Sequence, residues 1–344
     1  MARRLGSGGR SWWGRNPQHY PARWKRFDGP NTAFRAGAAR SALLGIRRPA
    51  QPFAPRRWAH GKPMEPLVIA LVLAAALMHA LWNTVLKIGD DRLVAMATIM
   101  FVTGALAPIL ILWGPAPAAE SWKFIVISAA LNTVYFYFLL EAYRVADLSH
   151  AYPLARGSAP LMVAVGSAVF AGEALSATGI AGVVIISCAI AGLAFSGGFE
   201  LGAGWRTIAY PLATGAMTAA YTVVDGIGVR ASGSPAGYIG WLFVLSATPI
   251  TAFALIRRKS AVIDVLGRDW RSVLLGGVLN FGSFGLVIWA LSLSAMAPVS
   301  ALRETSVIIA ALIGAYYLGE PFGLHRALSA IAVAAGVLLL SLAA

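Results

Sequence analysis

From Pro66 to the C-terminus, runs of about twenty apolar residues recur ten times, each closed by a short polar or Gly/Pro break. Twenty helical residues are about the length that crosses the hydrocarbon core of a bilayer. Lipid offers no partner to a free N–H or C=O, so each run is predicted to be an α-helix that satisfies its own backbone. The pattern places these helices at Pro66–Lys87, Leu93–Trp113, Trp122–Glu141, His150–Gly172, Ala177–Ser196, Trp205–Asp225, Ala236–Ile256, Ser272–Leu293, Ala297–Gly319 and Gly323–Ala343. The connections are too short for a folded extramembrane domain, so the expected fold is an all-α membrane protein whose chemistry lies within and between helices.

The chain contains its own pattern twice. LARGSAPLMVAVGSAVFAGE, from Leu154 to Glu173, lies over ALRETSVIIAALIGAYYLGE, from Ala301 to Glu320; Arg156 matches Arg303, and Gly172-Glu173 matches Gly319-Glu320. More weakly, ALMHALWNTVLKIG from Ala76 lies over GAMTAAYTVVDGIG from Gly215, with Trp82 over Tyr221 and Gly89 over Gly228. Residues 64–196 and 197–344 therefore read as two five-helix repeats. Five is odd, so the second repeat enters the membrane from the opposite side. Secondary transporters use such inverted repeats to place a site near the midplane between halves that alternate access.

Composition agrees with a membrane class: 58% of residues are hydrophobic and 12% charged, with a mean hydropathy of +0.70. The formal charge of +14 changes the picture only locally. Residues 1–63 carry 14 Lys/Arg against the single acid Asp28, while the rest of the chain is close to neutral. No nucleic-acid partner follows from that charge. The segment 1–63 lacks an apolar period and reads as a disordered basic tail. It has three readings: a headgroup-binding segment, a transit peptide, or sequence upstream of a start at Met64, the last favoured. Cys188 is alone, so no intrachain disulfide can form.

The ten helices in two repeats, the AYPLARGSAPLMV start of the fourth helix and the Gly-Glu ending the fourth and ninth together resemble the EamA-type branch of the drug/metabolite transporter superfamily. The resemblance spans the whole membrane body from about Met64. It implies a carrier for small metabolites with a central cavity lined by the first, third, fourth, sixth, eighth and ninth helices. The second repeat departs from the first in carrying Ser300 opposite Pro153 and Val307 opposite Pro160, so the two gates need not kink alike.

Ionisable residues inside a span are costly and point to function. Arg156 and Arg303 lie about two turns into their helices, and inversion is expected to place them toward opposite membrane faces, as paired gates or as contacts to an anionic substrate. The alternative is structural: Arg303 neutralised by Glu304, and Arg156 by Asp147, Glu141 or a carbonyl. Tyr152 shares a helix face with Arg156. His79 and Asn83, four apart with Trp82 beside them, form one polar stripe; Thr218, Tyr221 and Thr222 form its counterpart on the sixth helix. Trp82 and Tyr221 are expected to act as an aromatic clamp, and His79 either as a proton carrier near neutral pH or as a hydrogen-bonded packing residue. Asn132 and Tyr135 can share a face of the third helix, Tyr137 points elsewhere, and Trp289 reads as an interfacial aromatic. Glu173 and Glu320 are expected to bond loop amides rather than substrate. Small-residue pairs such as Gly166 with Gly172, or Gly314 with Gly319, are expected to let helices approach closely.

Orientation is contested. Family resemblance and the basic tail favour cytoplasmic termini, whereas loop Lys/Arg favour external ones: with the N-terminus inside, the inner loops carry only Lys123 and Arg230 against ten on the outer loops, with Arg257, Arg258, Lys259, Arg268 and Arg271 on one loop. The membrane body carries only His79, His150 and His325, none at metal-ligand spacing, and no hydrolase arrangement; no metal, cofactor or catalytic set is expected. The sequence thus predicts a secondary transporter of the inner (plasma) membrane moving a small polar or anionic metabolite. A lipid-carrier flippase or a channel is the alternative, with lipid bilayer as surroundings and a homodimer among the candidate assemblies.

Overall fold

The computed structural model describes residues 64–88, 91–146, 148–194, 204–317 and 323–342. The basic tail, Asp147, Gly319 and Glu320 lie outside the described residues. Eleven α-helices follow in order: α1 Pro66–Ile88, α2 Arg92–Trp113, α3 Trp122–Val145, α4 Leu148–Ala171, α5 Ala177–Leu193, α6 Arg206–Ser232, α7 Pro235–Arg268, α8 Trp270–Leu293, α9 Met296–Arg303, α10 Thr305–Tyr317 and α11 Leu324–Leu342. Among the described residues, nine helical spans are long and apolar enough to cross a membrane, α9 and α10 together making one. The tenth apolar helix, α5, has 17 residues, which at about 1.5 Å per residue covers a slightly thinned hydrocarbon core. The fold is therefore all-α and multi-pass, as the apolar runs predict.

Local chemistry sets the helix ends. Asp91 caps α2 by accepting from Leu93 N at 3.0 Å and Val94 N at 3.2 Å. Ser234 caps α7 by accepting from Gly237 N at 3.1 Å, with Pro235 directly behind it, a position where the missing N–H costs nothing. Gly233 ends α6 at φ 63°, a left-handed position that glycine occupies without strain. Within the spans, Thr98, Thr103, Thr214, Thr218 and Thr222 return their hydroxyl protons to carbonyls one turn earlier. That local bonding makes a hydroxyl tolerable in an apolar interior.

Three boundaries differ from the hydropathy pattern. The sixth span runs on from Asp225 to Ser232, because Asp225, Arg230 and Ser232 all find buried partners and so do not mark a water interface. The seventh continues beyond Ile256 to Arg268 through a non-helical Arg258 (φ −141°, ψ 37°), making the basic loop a helical extension. The ninth is broken at Glu304, without a proline at the break.

Contacts between the repeats come in matched pairs. α3 packs on α6 and, with the repeats exchanged, α8 packs on α1; likewise α4 on α6 matches α9 and α10 on α1. The second and seventh spans pair with each other, as do the fifth and tenth. This reciprocity is what a pseudo-two-fold axis relating two inverted repeats requires. Of the expected pairs, only Gly166 with Gly172 lies wholly within the described residues, and close backbone approach is made by other glycines. A Cβ on Gly182 would lie 2.9 Å from the Gly336 carbonyl oxygen, locking α5 to α11. Gly172, by contrast, has φ 65° and open space around it, so it serves a turn; Gly166 faces Val223 at 3.1 Å.

Candidate functional site

The fourth and ninth spans meet where each carries its arginine. Arg156 is the ninth residue of α4 and Arg303 the last of α9, so both sit about a third of the way through their spans. Inversion then brings them together near the middle instead of separating them. Arg156 Nε lies 2.9 Å from Glu304 Oε2, and Arg303 precedes that same carboxylate in sequence. Both guanidiniums lie within electrostatic range of His79, Tyr135 and Tyr152. The expectation of arginines on opposite membrane faces is thereby corrected: Arg156 pairs with Glu304, and Arg303 lies within electrostatic range of the same carboxylate.

The helix break explains how consecutive residues reach one site. Successive residues on an uninterrupted helix diverge by about 100°. At Glu304 the chain tightens, its N–H shared between the carbonyls of Ala301 and Leu302, and α10 restarts at Thr305. A discontinuous mid-membrane helix of this kind is where transporters place backbone and side-chain donors around a substrate. Arg303 lays its guanidinium over the Phe284 ring at 4.6 Å, an attraction that strengthens when the pair is desolvated. Phe284 in turn packs against His79 with ring centroids 6.3 Å apart.

The electrostatics of this cluster are incomplete. Arg156 is 7% exposed, Arg303 4% and Glu304 1%. Among the described residues, Arg156 Nη2, Arg303 Nε and Arg303 Nη2 have no hydrogen-bond acceptor. The Arg156 Nε contact to Glu304 is close but its N–H is not aligned for a hydrogen bond. Two buried cations thus share one buried anion, and a buried charge without a partner is strongly unfavourable. Glu141, a candidate partner for Arg156, instead binds the exposed Arg144 at 2.8 Å.

The aromatic and polar stripes divide. His79 Nδ1 accepts from Trp82 Nε1 at 3.2 Å, and Trp82 packs into an apolar cluster with α2 and α7. Asn83 donates back to the His79 carbonyl at 2.7 Å. Tyr221 packs edge-on against Tyr135, ring centroids 5.8 Å apart, so each ring of the expected clamp has its partner locally. Asn132 donates to the Ser128 carbonyl at 3.0 Å. Tyr152, Asn83, Asn132 and Tyr135 are half-buried, while Tyr137 and Trp289 are exposed. The structure therefore gathers Tyr152, Tyr135 and His79 around the two arginines, with Glu304 beside them, links Tyr221 through Tyr135, and sets Trp82, Asn83 and Asn132 in adjacent helix packing.

Sequence reasoning treated Glu304 only as a neutraliser, overlooked Phe284, and took Arg230 for a loop residue. Arg230 lies in α6 and binds Glu173 at 2.6 Å, the Leu291 carbonyl at 2.8 Å and the Ser294 carbonyl at 2.7 Å. Glu173 also accepts from Met296 N at 2.8 Å, so its expected bond to a backbone amide is present. This clasp ties the end of the fourth span to the sixth, eighth and ninth.

Comparison with known proteins fits this architecture. The EamA-like transporter family model matches residues 66–195 and again 205–342. A Sinorhizobium protein described as an uncharacterized transporter in the cobO 3′ region is 33% identical over 78 residues, covering 23% of this chain and 55% of that protein. The chain thus spans about half the length of the curated relative it matches. A solved crystal structure superposes with a TM-score of 0.59 at 17% identity, covering 79% of this chain and 94% of that one, which speaks to the fold alone. With ten apolar helices among the described residues, in two matched halves both recognised by the same model, this chain belongs to the EamA-like transporter family.

Proposed function

We propose that the chain is a secondary transporter of the drug/metabolite type that moves a small anionic metabolite across the inner (plasma) membrane by alternating access. The observation that carries this reading is the charge imbalance at the centre: two buried guanidiniums, one carboxylate, and arginine N–H groups without an acceptor. An incoming anion supplies both the missing charge and the missing acceptors, and a guanidinium matches carboxylate and phosphate geometry. Tyr152 and Tyr135 add hydroxyls at the edge of the same cluster, while Arg303 is held in orientation by the Phe284 ring.

Counterflow in proteoliposomes tests the reading, using labelled small carboxylates, sulfate, inorganic phosphate and phosphate monoesters. At least one should exchange against its unlabelled form. Arg156→Gln and Arg303→Gln should each weaken that exchange roughly 10- to 100-fold, the equivalent of about 1.5–3 kcal/mol for a hydrogen bond to a charged group. Movement of lipid analogues between leaflets with no exchange of any anion would replace the proposal with a flippase; gradient dissipation without counterflow would replace it with a channel.

A further inference from the structure

A second buried acid stands apart from the arginine cluster. Asp225 is 3% exposed and lies seven residues before the end of α6, about 10 Å along the helix axis at 1.5 Å per residue. Tyr238 of α7 donates its hydroxyl to Asp225 Oδ1 at 3.0 Å, and the Ser128 hydroxyl of α3 lies within reach of the same carboxyl. Neither is charged. Among the described residues, no Lys, Arg or His forms an ion pair with it: Arg156 pairs with Glu304, Arg230 with Glu173 and Arg144 with Glu141.

The surroundings are built tightly around this group. Tyr238 is fully buried, and a Cβ on Gly228, one turn on from Asp225, would lie 2.7 Å from the Tyr238 ring. A Cβ on Gly226 would meet the Met296 side chain at 2.6 Å. The two glycines bring α6 against α3, α7 and the start of α9, so the carboxyl is enclosed on all these sides by hydroxyls, a thioether and aromatic carbon. The polar groups in range of it are Ser128 on α3 and Tyr238 on α7; among the described residues, α3, α4, α6, α7, α8 and α9 bring no charged side chain within ion-pair distance.

An ionised carboxylate without a cation is very costly in such a place, and the carboxyl avoids that cost by holding a proton. Donation from a hydroxyl favours the ionised form, but a hydroxyl also accepts, so a protonated carboxyl finds a partner for its O–H in the same surroundings. We propose that Asp225 is a proton-binding site inside the membrane, loaded and unloaded as the carrier turns over. The carboxylate oxygen takes one proton from water on one side, forming an O–H bond, and returns it to water on the other; nothing else changes covalently. The turnover clause rests on the carrier reading above, whereas proton binding itself does not. Electrically the arrangement is consistent: a monoanion at the arginine cluster moving with a proton at Asp225 transfers no net charge.

Tyr221 connects the two regions. It lies one turn from Asp225 on α6 and meets Tyr135, which is in range of both arginines. The proton site and the anion site are thus neighbours along the α3–α6 seam, formed by different residues.

The test is pH-difference infrared spectroscopy on the full chain in lipid, reading the C=O stretch of a protonated carboxyl. Wild type should show a titrating carboxyl band that is lost in Asp225→Asn and retained in Glu304→Gln. Tyr238→Phe keeps the carboxyl but removes its donor, so it should move the band's frequency without abolishing it, which assigns the band even should the asparagine variant fail to fold. A band that persists in Asp225→Asn at its wild-type intensity, or an Asp225 carboxylate that stays ionised at every pH and responds to sodium, overturns the proposal. For turnover, the panel anion that wild type exchanges most is used: Asp225→Asn should keep exchange at equal pH and lose accumulation driven by a pH gradient. Accumulation equal to wild type overturns the turnover clause. Absence of any anion exchange by wild type defeats the carrier reading and with it the turnover clause, leaving the infrared result to decide the proton site.

Discussion

Arg156 and Glu304 join the two repeats at 2.9 Å, and Arg303, the residue before Glu304, sets a second guanidinium within electrostatic range of the same buried carboxylate. The carboxylate serves two charges, one by contact and one at longer range, which sets an order among substitutions. Glu304→Gln leaves two buried cations with no anion, whereas Arg156→Gln leaves Glu304 with Arg303. Removing one partner of a buried pair costs about 3–5 kcal/mol. We expect Glu304→Gln to reach that range and Arg156→Gln to fall below it, measured by thermal unfolding in detergent micelles. Stabilisation by an added anion should also be larger in Glu304→Gln, because the site then carries two uncompensated charges. The reverse order of stability would show that Arg303 does not engage Glu304.

His79 is expected to behave as a packing residue. Its Nδ1 accepts from Trp82, and a proton there would end that bond. Glutamine can accept from the indole in its place, so His79→Gln should lose about 1 kcal/mol or less, the net worth of one imperfectly replaced hydrogen bond. Transport by this variant should keep the wild-type pH profile. A flattened profile would return the proton-carrier role to His79.

Hydropathy made the fold legible because lipid leaves a span few alternatives, and the repeat made the arginine pair visible because Arg156 and Arg303 occupy equivalent positions. The partner of the pair was hidden for a physical reason. The position equivalent to Glu304 in the first repeat is Gly157, where a Cβ would collide with the backbone of Ala191. One copy of the position serves helix packing and the other carries charge, so the repeat does not advertise its role. Arg230 was misread for a related reason: a cation near a helix end looks like a loop charge unless its partner, Glu173, is known to lie 57 positions away. Asp225 likewise looked terminal only because the polar residues after it suggested water.

The clasp at Glu173 should be among the costliest surface-proximal sites to disturb. Arg230 directs three nitrogens to Glu173 and to the Leu291 and Ser294 carbonyls. Lysine retains the charge but has a single nitrogen on a flexible stem, so it cannot reproduce a planar fork. We expect Arg230→Lys and Glu173→Gln each to destabilise by about 3–5 kcal/mol. Arg144→Gln, whose side chain is 74% exposed in its pair with Glu141, should cost no more than about 1 kcal/mol. Unfolding midpoints in detergent provide the comparison, and equal shifts for all three would deny the clasp any special weight.

Helix proximity gives a prediction whose sign depends on position. A Cβ on Gly157 would lie 2.9 Å from Ala191 Cα and closer still to other backbone atoms of α5. Backbone cannot rotate aside as a side-chain tip can, so α4 and α5 must separate. Gly157→Ala should therefore destabilise by about 1–3 kcal/mol, the usual cost of overpacking. Gly192, on α5 itself, has nothing within 4 Å of a built Cβ. There alanine only removes backbone freedom from the unfolded chain and should be neutral or stabilising by up to about 1 kcal/mol. The two substitutions are chemically identical, so opposite shifts in unfolding temperature isolate the close contact itself. Parallel shifts would mean that glycine at both positions acts through helix propensity and that the α4–α5 approach is looser than 2.9 Å implies.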